Sequence, residues 1–161
     1  MRDCFRKILF AKDFWKEDIG DVETLTPTRR WIPSVVAEFI RAGVRDDEKA
    51  FDPTLLKHSW KIVQKLLVKS DAEPKSKEGS GDALNRALNS EKGKAIEALF
   101  DQSLRWCRLE DAKKKSHKEI WQKKLQSVFD KELKKARDKT FEFFALAGAY
   151  ISNIEYLDRE W

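Results

Sequence analysis

The sequence predicts an all-α protein, and three observations carry this prediction. Apolar residues recur every three or four positions in several successive segments, which is the period of an amphipathic helix. No segment of any length alternates apolar and polar residues, as a half-buried strand does. Only six glycines and four prolines occur among 161 residues, too few for a many-turned β protein. A chain of this length suits one domain, so we expect residues 1–161 to form a single helical domain.

Two helices are predicted before residue 44. The first covers residues 3–18, which present a broad apolar face and end before Gly20. The second covers residues 28–43, and its start lies near Ile32 because Pro33 is favoured in a first turn. Its apolar residues share one helix face: Ile32, Val35, Val36, Phe39 and Ile40.

A third helix is predicted after Asp52-Pro53. Asp is a favoured N-cap and Pro a favoured first helical residue, and the apolar stripe that follows continues to about Lys69. Residues 70–82 then combine Pro, Gly, Ser and charges with no large apolar residue. We therefore predict a mobile loop at residues 70–82.

The second half of the chain predicts further helices. Residues 82–88 form a short helical turn, and Asn89-Ser90 offers a cap for a helix over residues 91–110. Residues 116–138 form a long charged helix. Residues 140–153 are apolar almost all round, so we expect this helix to be central and covered on several sides. Asp158 has the character of one more helix start.

The arrangement of these helices has two alternatives. About six helices with short links pack as antiparallel neighbours. The hairpins then stack as a short α-solenoid of HEAT-like or TPR-like type, or they close into a helical bundle. The incomplete helix after Asp158 favours the solenoid.

Motifs for catalysis and metal binding are missing from the sequence. It holds no GxSxG, no glycine-rich phosphate loop and no HExxH. His58 borders an apolar stripe and is expected to pack, whereas His117 lies among lysines and is expected to be solvated. Cys4 and Cys107 stand far apart and are expected to be reduced thiols. We therefore predict no enzyme activity, no metal and no cofactor.

The sequence also predicts a cytoplasmic protein. The N-terminal segment has only four apolar residues in a row, too few for a signal peptide. The longest uncharged apolar run spans nine residues, 143–151, whereas a membrane-spanning helix needs about 20. We expect no membrane association.

Positive charge is concentrated in residues 113–139. Between Asp111 and Lys139 there are eleven Lys and Arg against five acids, a local surplus larger than the net charge of +5 of the whole chain. Three lysines lie near one line of the predicted helix and suit a phosphate backbone or an acidic protein: Lys124, Lys131 and Lys135. Against a nucleic-acid partner, acid-then-base pairs at i,i+4 are typical of a solvated helix, and aromatic residues do not interleave these lysines.

Two tryptophans are candidates for an interaction surface. Trp106 and Trp121 border their apolar stripes rather than centring them. Such residues belong either to the edge of a core or to an interface, where tryptophan is a frequent anchor.

Three stretches of the chain resemble a known class of helical repeat. They are residues 36–67, 82–105 and 148–161, and the resemblance covers the chain from about residue 36 to residue 161, about three quarters of its length. Two motifs carry the resemblance: Asn89, Ser90, Gly93, Ala95, Glu97, Ala98 and Leu99, and the closing Leu157, Asp158, Glu160 and Trp161. They are similar to the helical-repeat region of large bacterial proteins with a STAND-type nucleotide-binding domain, some of which resemble antiphage sensors.

The resemblance implies an interaction segment of a larger bacterial protein. In that family more helices follow the closing motif, so the chain is expected to be a fragment. Its partner would be another protein or the rest of its own chain, and the exposed ends of a stack would allow a homodimer. No nucleotide-binding motif is present, so the ATPase activity of such proteins does not carry over.

The sequence therefore predicts a non-catalytic helical-repeat segment that binds a protein. The alternative is a nucleic-acid-binding module that uses the basic helix 113–139. The residues predicted to form the surface are Lys124, Lys131, Lys135, Trp106 and Trp121.

Overall fold

Helices make up most of the residues that the computed structural model describes, which are 31–70, 82–138 and 141–161. No strand occurs within these three ranges, and the all-α prediction is confirmed. The predicted helix 3–18 and nearly all of the predicted loop 70–82 lie outside the described residues. The helices are α1 (Trp31–Gly43), α2 (Leu56–Lys69), α3 (Ala83–Leu88), α4 (Glu91–Ala112), α5 (Lys118–Ile120), α6 (Gln126–Asp138), α7 (Glu142–Ala149) and α8 (Ile151–Leu157).

Side-chain caps set three of the helix starts. The Asp52 carboxylate accepts a hydrogen bond of 2.8 Å from the amide of Thr54, and a 3₁₀ turn (Pro53–Leu55) leads into α2. Asp82 caps α3 in the same way. At the start of α4, the hydroxyl of Ser90 accepts a hydrogen bond of 2.8 Å from the amide of Gly93. Each cap satisfies an amide that the first helical turn leaves free, and the caps at Asp52 and Ser90 lie where the sequence predicts them.

Helix α4 lies at the centre of the described fold. Helices α1, α2, α3, α7 and α8 all pack against it, and Ile96, Leu99 and Phe100 on α4 have no exposed surface. The contacts converge on one helix instead of passing from each hairpin to the next. Stacking in sequential order, the solenoid prediction, is therefore not confirmed.

The apolar segment near the C-terminus is not central, and that prediction is wrong. The segment breaks at Tyr150 into α7 and α8, which have eight and seven residues. Phe143 and Leu146 are buried, but Phe144 keeps 49% and Ile151 keeps 64% of its surface exposed. Helix α4 has 22 residues and is long enough to contact both ends of the fold, so it takes the central position instead.

Gly93 allows α3 and α4 to approach closely. A Cβ added at this glycine would lie 1.7 Å from the carbonyl oxygen of Ala87. Ala87 belongs to α3 and is fully buried, so a side chain at residue 93 would force the two helices apart.

A π-helical turn interrupts the helix predicted over residues 116–138. Residues Trp121–Leu125 form this turn, and the amide of Gln126 donates to the carbonyl of Trp121, five residues earlier. Helices α5 and α6 flank it. Trp121 and Leu125 are fully buried, so the π turn is anchored in the core.

The last residues pack back onto the π turn and α6. The Asp158 carboxylate accepts a hydrogen bond of 3.0 Å from the amide of Glu160, which caps a turn instead of the predicted helix. The indole N–H of Trp161 donates to Asp130 at 2.7 Å, and its ring lies 5.7 Å from that of Trp121.

A buried ion pair connects α4 and α6. The Lys92 ammonium lies 2.5 Å from the Glu132 carboxylate, and both side chains are at most 4% exposed. Lys92 also donates to the carbonyl of Leu67 at 3.0 Å, and Lys135 pairs with Glu132 at 2.7 Å. These contacts satisfy two charges that would otherwise be costly to bury.

Candidate anion-binding groove

A groove of about 610 Å³ lies between the start of α2, the last turns of α4 and the segment from α5 to the π turn. We call it the lysine groove. It is lined by Pro53, Leu56, Lys57, Trp106, Glu110, Lys113, Lys115, Ser116, Glu119, Ile120, Lys123 and Lys124. Its volume falls within the range of about 300–1,000 Å³ that is common for ligand sites.

Two of the five lysines are already paired with glutamates of the groove. The ammonium of Lys113 lies 2.9 Å from the carboxylate of Glu110, and that of Lys123 lies 3.1 Å from Glu119. The hydrogen bond from Lys113 lowers the pKa of the Glu110 carboxyl below its ordinary value, so this group is charged at neutral pH.

The other three lysines leave the groove with a surplus of positive charge. Within the residues that the structure describes, Lys57, Lys115 and Lys124 form no ion pair with a carboxylate. Three ammonium groups around one concave surface raise the local concentration of anions near it.

Trp106 forms the apolar floor of the lysine groove. Its side chain is only 8% exposed, and the Lys124 ammonium lies 4.8 Å from the centroid of its ring. Trp60 packs against the same ring edge to face, with centroids 5.9 Å apart. The ring therefore holds Lys124 in place by a cation–π contact, and little of it remains open for a stacking ligand.

The turn after α4 orients one wall of the groove. Lys114 has a φ of 58°, a left-handed conformation that is unusual for a residue with a side chain. The amide of Lys114 donates to the backbone carbonyl of Asp111 at 2.8 Å, and that of Lys115 donates to the backbone carbonyl of Glu110 at 3.1 Å. This is the Schellman pattern of helix ends, and it directs the chain from α4 into the wall at Ser116.

His117 ties this wall to α8. One ring nitrogen, Nδ1, lies 2.8 Å from Asp111, and the other, Nε2, lies 3.0 Å from the carbonyl oxygen of Tyr156. The Tyr156 hydroxyl donates to the same Asp111 carboxylate at 2.5 Å. Burial acts to raise the pKa of Asp111, but the hydrogen bonds from Tyr156 and His117 outweigh it and lower the pKa. The prediction that His117 is solvated is therefore wrong.

The structure divides the residues predicted for the interaction surface. Lys124 and Trp106 meet in the lysine groove. Lys131 is exposed on α6 and Lys135 is paired with Glu132, and neither lines the groove. Trp121 has no exposed surface and belongs to the core.

Sequence reasoning did not find the opposite wall. Lys57 lies on α2, far along the chain from the basic segment, and the sequence gives no local sign that the two are neighbours. Nothing in the sequence distinguishes the two glutamates of the groove, Glu110 and Glu119, from the many other acidic residues of the chain.

A reactive thiol, a metal site and a membrane-spanning helix each have requirements that the described residues do not meet. Cys107 is a free, fully buried thiol on α4, and burial raises its pKa to about 12. In the described part of the chain, no group of three or more His, Cys, Asp and Glu residues is placed to hold a metal ion. None of the helices described there has both the length and the hydrophobicity needed to cross a membrane.

Comparison with known proteins yields no relative: no protein-family model, no curated protein and no solved structure matches the chain.

Proposed function

We propose that this chain is a non-catalytic protein-interaction domain and that its lysine groove receives an acidic segment of a protein partner. The observation that carries the proposal is that Lys57, Lys115 and Lys124, none of which forms an ion pair of 4.0 Å or less with a carboxylate of the described residues, line one groove. Carboxylates of a partner would replace the water around these ammonium groups and gain charge-assisted hydrogen bonds.

A nucleic-acid-binding module that uses residues 113–139 is the second candidate. The local surplus of lysine and arginine in this segment supports it. The positions of its side chains support it less, because Lys135 is engaged by Glu132 and the Trp106 ring is covered by Lys124. Single-stranded nucleic acid usually stacks its bases on open aromatic rings.

The resemblance to helical-repeat regions of STAND-type proteins stays a prediction. If it is correct, the acidic segment belongs to another protein, to the rest of the same longer bacterial chain, or to a second copy of this chain. The groove geometry does not depend on which of these supplies the segment.

The direct test is a binding titration followed by fluorescence anisotropy. The two probes are a fluorescein-labelled glutamate oligopeptide and a fluorescein-labelled single-stranded DNA of similar charge. The wild-type protein is compared with the triple variant Lys57→Glu, Lys115→Glu, Lys124→Glu. The matched control is Lys131→Glu, which reverses an exposed lysine on α6 outside the groove. Circular dichroism establishes that each variant is folded.

The proposal expects the triple variant to lose peptide binding and Lys131→Glu to keep it. If DNA binds more tightly than the peptide, with a steep dependence on salt and a loss in Lys131→Glu, the nucleic-acid module is correct instead. If the triple variant binds both probes with the same affinity as the wild-type protein, the groove is not the interaction site.

A further inference from the structure

The lysine groove contains two carboxylates, and they bear on which kind of anion it accepts. Glu110 and Glu119 lie among the five lysines of the lining. A site that bound a continuous phosphate backbone would gain from removing both, because each repels the negative charge of the ligand. Their presence favours a ligand that has both negative charges and hydrogen-bond donors.

Each of the two glutamates has one carboxylate oxygen engaged and one available. Lys113 hydrogen bonds to Oε1 of Glu110, and Lys123 hydrogen bonds to Oε2 of Glu119. In the described residues no donor contacts the second oxygen of either group. The Glu119 side chain is 77% exposed and that of Lys123 is 71% exposed, so this pair is weakly held and easily shared with a ligand.

A peptide with acidic side chains has the chemistry that this lining complements. Its carboxylates match Lys57, Lys115 and Lys124, and its backbone N–H groups are donors for the second carboxylate oxygens of the two glutamates, which no donor of the described residues contacts. A helical segment uses most of its N–H groups internally, whereas an extended segment leaves them available. DNA carries no donor on its backbone.

We infer that the lysine groove selects an extended acidic peptide, with Lys57, Lys115 and Lys124 binding its carboxylates and Glu110 and Glu119 accepting its backbone N–H groups. The two glutamates are then specificity-determining residues that disfavour nucleic acid. The inference rests on the function proposed above and adds the conformation of the partner and the role of the acids.

Backbone N-methylation of the probe tests this assignment. An N-methylated glutamate oligopeptide keeps every carboxylate and loses its amide donors. We expect the wild-type protein to bind the unmethylated peptide about tenfold more tightly than the methylated one, the effect of losing about two hydrogen bonds. In the double variant Glu110→Met, Glu119→Met, the two peptides bind equally and affinity for the single-stranded DNA rises. The matched control, Glu155→Met, removes an exposed carboxylate on α8 and leaves the preference unchanged.

The outcomes separate this inference from the proposal beneath it. If methylation has no effect, or has the same effect in the double variant and the wild type, the glutamates do not accept the peptide backbone and the inference is overturned. In that case the loss of binding in Lys57→Glu, Lys115→Glu, Lys124→Glu still supports the groove as the docking site. If the wild-type protein binds neither peptide, the proposed function fails, and this inference fails with it.

Discussion

The ammonium of Lys124 lies 4.8 Å above the indole ring of Trp106, in the wall and floor of the same groove. This contact fixes one end of a long lysine side chain that would otherwise move freely in water. A ligand that binds Lys124 therefore meets a group whose position is set in advance, which lowers the entropic cost of binding.

Replacement of Lys124 by Met tests the contact. We expect the free energy of unfolding to fall by about 0.5–1 kcal/mol, the value of an exposed cation–π interaction. Lys123→Met is the control, because its ammonium pairs with the exposed Glu119 and its loss is worth less than about 0.5 kcal/mol. Urea denaturation of both variants provides the measurement, and equal effects would contradict the assignment.

Gly93 and Gly148 are predicted to respond to alanine in opposite directions. At residue 93 the new Cβ meets the carbonyl of Ala87 at 1.7 Å, so Gly93→Ala should destabilise the protein by about 3 kcal/mol. At residue 148 nothing lies within 4 Å, so Gly148→Ala should stabilise α7 by about 0.5–1 kcal/mol. Thermal unfolding compares the two. A stable Gly93→Ala protein would show that α3 and α4 do not approach as closely as described.

Substitutions of the buried pair Lys92 and Glu132 should change the free energy of unfolding in a strongly non-additive way. Lys92→Met removes a partner of a carboxylate that is almost fully buried, and we expect a loss of about 3 kcal/mol. The double variant Lys92→Met, Glu132→Leu removes both charges and should be more stable than Lys92→Met alone. A double-mutant cycle in urea measures the coupling energy. Additive losses would mean that the two charges do not interact.

Asp46 lies between α1 and α2, and its ion pairs should make the free energy of unfolding depend on pH in the acid range. Arg105 and Arg108 of α4 pair with this carboxylate, the latter at 2.6 Å. Partial burial acts to raise the pKa of Asp46, but the hydrogen bonds from both arginines outweigh burial and lower it. A lowered pKa in the folded state adds stability above the unfolded pKa of about 3.9, and this is lost as the pH falls through the folded value.

Asp46→Asn should therefore cost at most about 1 kcal/mol near neutral pH, and the difference from wild type should shrink as the pH falls below the unfolded pKa of about 3.9. Asp47→Asn serves as the control, because that carboxylate accepts a hydrogen bond from the amide of Lys49 and has no arginine partner in the described residues. Thermal unfolding across the acid range gives the comparison. A constant difference at all pH values would exclude the ionic origin of the effect.

The left-handed Lys114 predicts a stabilising substitution. A residue with a Cβ pays roughly 1–2 kcal/mol in this conformation, whereas glycine adopts it freely. Glycine also increases the conformational entropy of the unfolded chain, which offsets part of this gain. Lys114→Gly should therefore raise the free energy of unfolding by about 0.5–1 kcal/mol. Lys131→Gly, in the middle of α6, should lose about 1 kcal/mol instead. Chemical denaturation distinguishes the two signs.

Local sequence signals predicted where α2, α3 and α4 begin. Asp52, Asp82 and Ser90 each cap a helix start within a few residues of their own position, so the information needed for them is local. The central role of α4 was not visible in the same way. Its charged residues Lys92 and Glu97 are buried, and their partners Glu132 and Arg41 lie about 40 to 56 positions away.

The candidate site was predicted only in part for the same reason. Trp106 and Lys124 each drew attention in the sequence, one as an aromatic residue and one as a lysine of a basic helix, but their contact follows from the turn after α4. Lys57 joins them from a different helix. Trp121 has the pattern of an edge residue, yet Phe129 and Trp161 cover it, at ring distances of 5.1 Å and 5.7 Å.

The five-residue π turn contains one residue more than an α-helical turn would hold between Trp121 and α6. Removing one residue from it would restore regular winding and rotate whatever precedes it by about 100° relative to α6. Either the buried Trp121 or the neighbouring wall of the groove would then face the wrong way. The direction in which this wall presents its lysines therefore depends on the one extra residue of the π turn, so a single-residue deletion there would change the ligand-facing surface without changing any of its side chains.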